Sequence, residues 1–176
     1  IISILKKIYG EPEPDLQYGN LYQLAVAVVL SAQTTDVQVN AVTPELFSRY
    51  PGFAELSEAK IKDVEKIIRS TGFYHHKARH IIEMSKTVMN RFSGNLPRNR
   101  ESLMELPGVG RKSANVILSV GMGIPALPVD THVLRLSNRL GYVQSEDPRK
   151  AEDALTSFIP KEDWRSAHLL LIRHGR

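Results

Sequence analysis

A chain of 176 residues with 42% hydrophobic content is long enough for one sizeable core or two small lobes, and too apolar for a disordered polymer. The net charge of +4 suits a polyanionic partner without identifying one, and the lack of cysteine excludes disulfides and thiolate metal sites within these residues. The longest apolar run, residues 24–30, is far too short to span a bilayer.

Residues 1–9 carry apolar side chains at helical spacing and stop at Gly10, and the breaker run Glu11-Pro12-Glu13-Pro14 follows. Asn20 is placed to cap a helix over residues 21–30, apolar on nearly every face and therefore expected in the middle of its domain. The segment VAVVL also reads as a strand, but the length of the run and the Asn cap favour a helix. A polar break at 31–36 ends it, with Thr35 or Asp36 capping the next helix. Thr43-Pro44-Glu45 repeats the start signal, Thr as cap and Pro at the first helical position. Ser57 is expected to cap residues 58–69, where Ile61, Val64, Ile67 and Ile68 form one stripe ended by Gly72. Residues 75–91 carry Ala78, Ile81, Ile82, Met84, Val88 and Met89 and end near Gly94. Asn99 caps 100–106. A helix over 131–140 stops at Gly141, Asp147-Pro148 opens one reaching Phe158, and residues 164–174 form the last. No stretch alternates at period two, so the expected fold class is all-α.

Residues 106–130, LPGVGRKSANVILSVGMGIPALPVD, carry the chemistry-bearing pattern. Gly108 and Gly110 bracket Val109 in a turn too tight for most residue types, and Arg111 and Lys112 follow at the start of an apolar helical run. Unpaired N–H groups and the helix dipole at such a start favour an anion. A lysine placed there is an ordinary solvated charge, or an amine nucleophile working on a sugar–phosphate backbone with Asp130 as its carboxylate partner. Asp130 before Thr-His-Val is also a good N-cap, and capping and chemistry do not exclude one another. Gln33 lies in the polar break after the buried helix, where a glutamine is ordinarily solvated. Phe73 precedes a basic helix start, where from the sequence alone it reads as a core staple for the next helix. Lys77, Arg79, Arg98, Arg100, Arg111 and Arg135 are candidate phosphate contacts, each of them equally an ordinary surface charge. His76 and His80, spaced i, i+4, have no third ligand nearby to make a metal site.

The segments LSAQTTD at 30–36, LPGVGRKSAN at 106–115, VDTHV at 129–133 and HGR at 174–176 resemble those of the endonuclease III family. These are DNA glycosylases built on a helix-hairpin-helix, a Gly/Pro-rich loop and an aspartate. The match runs in order over nearly the whole chain. The resemblance implies two helical lobes flanking a DNA-binding cleft: a central lobe, residues 14–124, and a second lobe from residues 1–13 and 125–176. It assigns Lys112 as the Schiff-base nucleophile and Asp130 as its helper. It gives Gly108, Val109 and Gly110 a phosphate, held through backbone N–H groups, in a hairpin whose carbonyls also hold a monovalent cation in relatives. Gln33 would fill the gap left by a flipped nucleotide, and Phe73 would be the wedge opposite the lesion.

The implied activity is a bifunctional base-excision glycosylase and AP lyase removing oxidised or ring-saturated pyrimidines such as thymine glycol. Its partner is double-stranded DNA carrying a damaged pyrimidine or an abasic site, with no membrane, and a monomer is expected. Lysine at position 112 favours this branch over monofunctional mismatch or adenine glycosylases of the same superfamily. A non-catalytic helix-hairpin-helix binding module is the rival from another class. Most relatives continue past HGR into a four-cysteine loop that holds a 4Fe-4S cluster. With no cysteine and an initial Ile, this chain is expected to be a fragment that binds no cofactor itself, the cluster belonging to the full-length parent. Cytoplasmic (nucleoid) location in a prokaryote, or nuclear or mitochondrial in a eukaryote, is the matching expectation.

Overall fold

The computed structural model describes residues 1–176, and all its regular elements are helical. In chain order the α-helices are α1 Ile2–Tyr9, α2 Leu21–Leu30, α3 Asp36–Arg49, α4 Phe53–Ser57, α5 Ile61–Ile68, α6 Tyr74–Arg91, α7 Arg100–Met104, α8 Arg111–Val116, α9 Thr131–Arg139, α10 Pro148–Phe158 and α11 Trp164–Gly175. They gather into two units, one of Asp15–Ile117 and one of Ile1–Pro14 with Leu118–Arg176. No helix is long and apolar enough to cross a membrane.

The Asp15–Ile117 unit is built around α2. Tyr22 and every residue of 24–30 are buried, as an all-round apolar helix requires, and α2 meets α3, α6 and α8. Each fully buried Val or Leu contributes roughly 1.5–3 kcal/mol over an exposed one, so this helix anchors the unit. Its start is fixed by Asn20, whose Oδ1 accepts from Gln23 N–H at 2.9 Å. The next cap is Thr35 rather than Asp36, with Oγ1 accepting from Gln38 N–H at 3.3 Å.

Two expected helix starts in this unit do not occur. Thr43-Pro44-Glu45 lies inside α3, and Thr43 is buried. Val39, Val42, Thr43 and Leu46 share a buried face, and that burial carries the helix through Pro44 despite the lost hydrogen bond. Ser57 closes the short α4 instead of capping a long helix: its Oγ donates to Ala54 O at 2.6 Å. Burial of Phe53 and Leu56 makes the 53–57 turn a helix of its own, and α5 then begins after Lys60 with no side-chain cap. Ile61 is 42% exposed and stands outside the stripe of Val64, Ile67 and Ile68. Met89, expected in the α6 core face, is exposed as well, whereas Ala78, Ile81, Ile82, Met84 and Val88 are buried.

In the other unit α9 packs on α11 and α10, and α1 on α11. Its core gathers Leu5, Leu127, Val129, Val133, Ala151, Leu155, Ile159, Ala167, Leu170 and Leu171. Trp164 packs against this core part-buried, its Nε1–H donating to Ile159 O at 2.8 Å. The end of α11 comes so close to α9 that a Cβ on Gly175 would lie 3.0 Å from His132 Cβ, and the Arg135 guanidinium donates to Gly175 O. Lys6 pairs with Asp163 at 3.2 Å and Tyr9 Oη meets His174 Nδ1 at 3.0 Å, so α1 is tied along α11.

Candidate functional site

The tight turn at 107–110 joins α7 to α8. Asn99 caps α7, its Oδ1 accepting from Ser102 N–H at 2.8 Å, and Leu103, Leu106 and Val109 bury their side chains. Val109 N–H closes the turn on Leu106 O at 3.1 Å, so Val109 anchors the loop from within. Gly108 has φ +80°, and a Cβ there would stand 3.0 Å from both His80 Cβ and Val29 Cγ1. Glycine at 108 is therefore demanded by the fold twice over, by dihedral and by space. Gly110 differs: its φ of −92° suits any residue, and a Cβ would meet nothing within 4 Å. The open side of the turn lies there, at the N-cap of α8, with Arg111 and the exposed Lys112 as the first helical residues. Beyond α8 the chain passes into a π-helical stretch, Ile117–Gly121, which the apolar pattern did not distinguish from a continuing α-helix.

On the neighbouring face of the same unit, Val29, Ala32, Gln33, Phe73, His76, Lys77, His80 and Gly108 line one pocket of about 280 Å³. Three of the DNA-contact expectations, Gln33, Phe73 and Gly108, thus share a wall. Gln33 and Phe73 are both exposed and both left-handed, at φ +53° and +47°. Non-glycine residues in that region cost roughly 1–2 kcal/mol each, and such strain gathers at working sites. Phe73 is 62% exposed, so it is no core staple.

Lys77 corrects an expectation. It is not a surface phosphate contact but 4% exposed, its Nζ donating to Thr71 O at 2.9 Å and to Thr34 Oγ1 at 3.2 Å. Burial pushes its pKa down. Nothing in the sequence marks this lysine, because its partners lie on two separate turns. His80 is held below the usual histidine range by burial, then by Arg79 and His76, against an upward pull from Glu83. Arg79 reaches back to His76 Nδ1 at 3.2 Å.

Asp130 belongs to the other unit. It caps α9, Oδ1 accepting from Val133 N–H at 2.8 Å, at the end of a loop whose residues 126–129 are buried. The carboxylate is half-buried and oriented by this bond, with a second oxygen remaining. Arg135 lies one turn on.

Known proteins resemble this chain in sequence and in fold. A model of the helix-hairpin-helix (HhH-GPD) superfamily of base excision DNA repair proteins matches residues 26–161. Endonuclease III of a Synechocystis strain is 45% identical over all of this chain and 81% of that protein. The enzyme of that name from Escherichia coli is 35% identical, over all of this chain and 83% of its own length. Among solved structures, a non-covalent endonuclease III–DNA complex superposes with a TM-score of 0.94 at 41% identity, over 97% of this chain and 80% of that one. A trapped endonuclease III–DNA covalent intermediate gives 0.93 at 41% identity, over 97% and 81%. A thermostable thymine-DNA glycosylase, at 22% identity and TM-score 0.84, shares the fold over 99% and 82%.

Proposed function

Because the chain belongs to the endonuclease III family of base excision DNA repair proteins, we propose that Lys112 is the Schiff-base nucleophile and Asp130 its carboxylate partner. The protein is a DNA glycosylase and AP lyase acting on damaged pyrimidines. The observation that carries the residue assignment is the α7–α8 turn. It puts an exposed lysine in the first turn of α8, directly beyond a glycine with open space on its outer side.

In this reading Gly110 and the first N–H groups of α8 hold a phosphate, with Gly108 and Val109 shaping the turn and Arg111 adding charge. The Lys112 amine attacks C1′ of the damaged nucleoside. The glycosidic bond breaks, the base leaves with the bonding electron pair and takes up a proton, and the amine loses one. Asp130 accepts the amine's proton or steadies the positive charge building on the sugar. The C1′–O4′ bond then breaks, O4′ leaving with the electron pair and taking up a proton, and the nitrogen lone pair closes the C1′ iminium. Loss of a C2′ proton then breaks the bond from C3′ to its phosphate oxygen, which is β-elimination. Gln33 and Phe73 act earlier, occupying the space vacated by the flipped nucleotide and opening the stack opposite it. Thymine glycol and related ring-saturated pyrimidines are the substrates this reading favours.

The residues present supply no thiolate and no cluster of three metal-ligating side chains, so they do not fit an iron–sulfur group and no step here runs through one. Any such cluster would take its ligands from outside residues 1–176.

Borohydride trapping on duplex DNA containing thymine glycol, with an abasic-site duplex alongside, tests the assignment. A covalent adduct on both substrates is expected, and Lys112→Ala is expected to abolish it while DNA affinity stays within about threefold. Full cross-linking by Lys112→Ala would remove Lys112 from the role.

A further inference from the structure

The left-handed Gln33 and Phe73 sit on different turns, one closing α2 and one opening α6, yet both turns converge on a single ammonium group. Lys77 Nζ donates to Thr34 Oγ1, beside Gln33, at 3.2 Å and to Thr71 O, two residues before Phe73, at 2.9 Å. The Thr34 hydroxyl donates in turn to that same Thr71 carbonyl. The Lys77 backbone N–H holds Phe73 O at 3.0 Å, and Thr71 Oγ1 fastens its own turn to Ile68 O at 2.7 Å. Lysine is an expensive way to fill a buried position whose partners are a neutral hydroxyl and a neutral carbonyl, since the charge must be desolvated with no carboxylate to offset it. Burial lowers its pKa accordingly. A core serving stability alone gains more from an apolar side chain of that length.

We propose that Lys77 is a positioning residue that ties the 31–35 turn to the 71–73 turn and so holds Gln33 and Phe73 ready, in their strained conformations, to enter the DNA stack together. The inference rests on the assignment of those two residues to the gap and the wedge. The three hydrogen bonds preorganise the site: they maintain two residues in backbone conformations that the free chain disfavours, so the strain is met in folding and not at the moment of base flipping.

The test uses the intact protein and two substrates. One is a duplex with thymine glycol and a neighbouring 2-aminopurine, read by single-turnover base release and by the fluorescence rise on flipping. The other is a single-stranded oligonucleotide with an abasic site, read by the rate of borohydride trapping; it has no stack to open and no partner strand. Lys77→Met and Thr34→Val are expected to lower duplex excision and flipping about tenfold or more while single-strand trapping stays within about twofold. Thr34→Ser, which restores the hydroxyl, should recover the duplex rate. Thr34→Val keeps the side-chain volume and decides the matter if Lys77→Met does not fold.

Wild-type duplex rates in Lys77→Met and Thr34→Val, or an equal loss on both substrates, would overturn the proposal. Gln33→Ala and Phe73→Ala run in parallel should show the same duplex-only defect. If those two leave the duplex rate intact, the gap-and-wedge assignment falls and takes this inference with it, an outcome distinct from a failure of the Lys77 variants alone.

Discussion

Asp130 combines a structural bond with a proposed chemical one, and one substitution separates them. Asparagine caps helices as well as aspartate does, and its amide oxygen can take the 2.8 Å bond from Val133 N–H. Asp130→Asn is therefore expected to keep stability within about 0.5 kcal/mol and to slow single-turnover base excision by about a hundredfold or more. Thermal melts beside excision kinetics check both halves, and an unchanged rate would leave Asp130 as a cap only. Tyr22 makes a prediction of a different kind. Its phenol is buried, donates to Tyr50 O at 2.6 Å and faces Glu55, so burial first and that carboxylate second raise its pKa well above 10. The unfolded chain releases this proton from about pH 10 upward while the folded protein retains it. The Tyr22 contribution is therefore fully present below pH 10 and is lost as pH climbs above it. Tyr22→Phe should cost about 1 kcal/mol at neutral pH and flatten the alkaline loss of stability, as read by urea midpoints from pH 8 to 11.

At the level of elements, the two glycines of the α7–α8 turn differ in what they face: packed side chains at Gly108 and open space at Gly110. Gly108→Ala forces a side chain into φ +80° and against His80 and Val29, and is expected to destabilise by about 1–3 kcal/mol. Gly110→Ala meets open space at φ −92°, so stability should stay within about 0.5 kcal/mol. If a phosphate approaches there, the same methyl group weakens duplex binding by roughly tenfold, or about 1.4 kcal/mol. Calorimetry and fluorescence anisotropy on the pair read the contrast; equal DNA affinity for Gly110→Ala and wild type would move the phosphate elsewhere. Capping was the most legible feature of the elements. Asn20, Thr35, Asn99, Asp130 and Asp147 all accept from an N–H two or three residues on, a bond decided within one turn of chain. The starts at Thr43 and Ser57 carried the same local chemistry and were overruled by buried neighbours, Val39, Val42 and Leu46 in α3 and Phe53 with Leu56 in α4.

For the molecule as a whole, a net charge of +4 and the phosphate contacts proposed at the turn before Arg111 and Lys112 predict that duplex binding is an electrostatic exchange with counterions. Neutralising even two phosphates weakens binding by roughly tenfold between 50 and 200 mM salt, and undamaged duplex should show at least that slope in anisotropy titrations. A flat salt dependence would argue against backbone contacts as the source of affinity.

Sequence alone determined that the protein is all helical, where most helices start and stop, and which segments carry the family resemblance. Those properties follow from side-chain periodicity, from caps acting over a few residues and from contiguous motifs. Only the tertiary structure decided that α3 runs unbroken through Pro44, that Phe73 stands exposed and left-handed beside Gln33, and that Lys77 is buried beneath both. The first depends on the burial of Val39, Val42, Thr43 and Leu46, and the burial of Lys77 depends on Thr34 and Thr71 brought to it from separate turns. Periodicity carries no record of such meetings, because burial and hydrogen bonds between segments distant in the chain settle them.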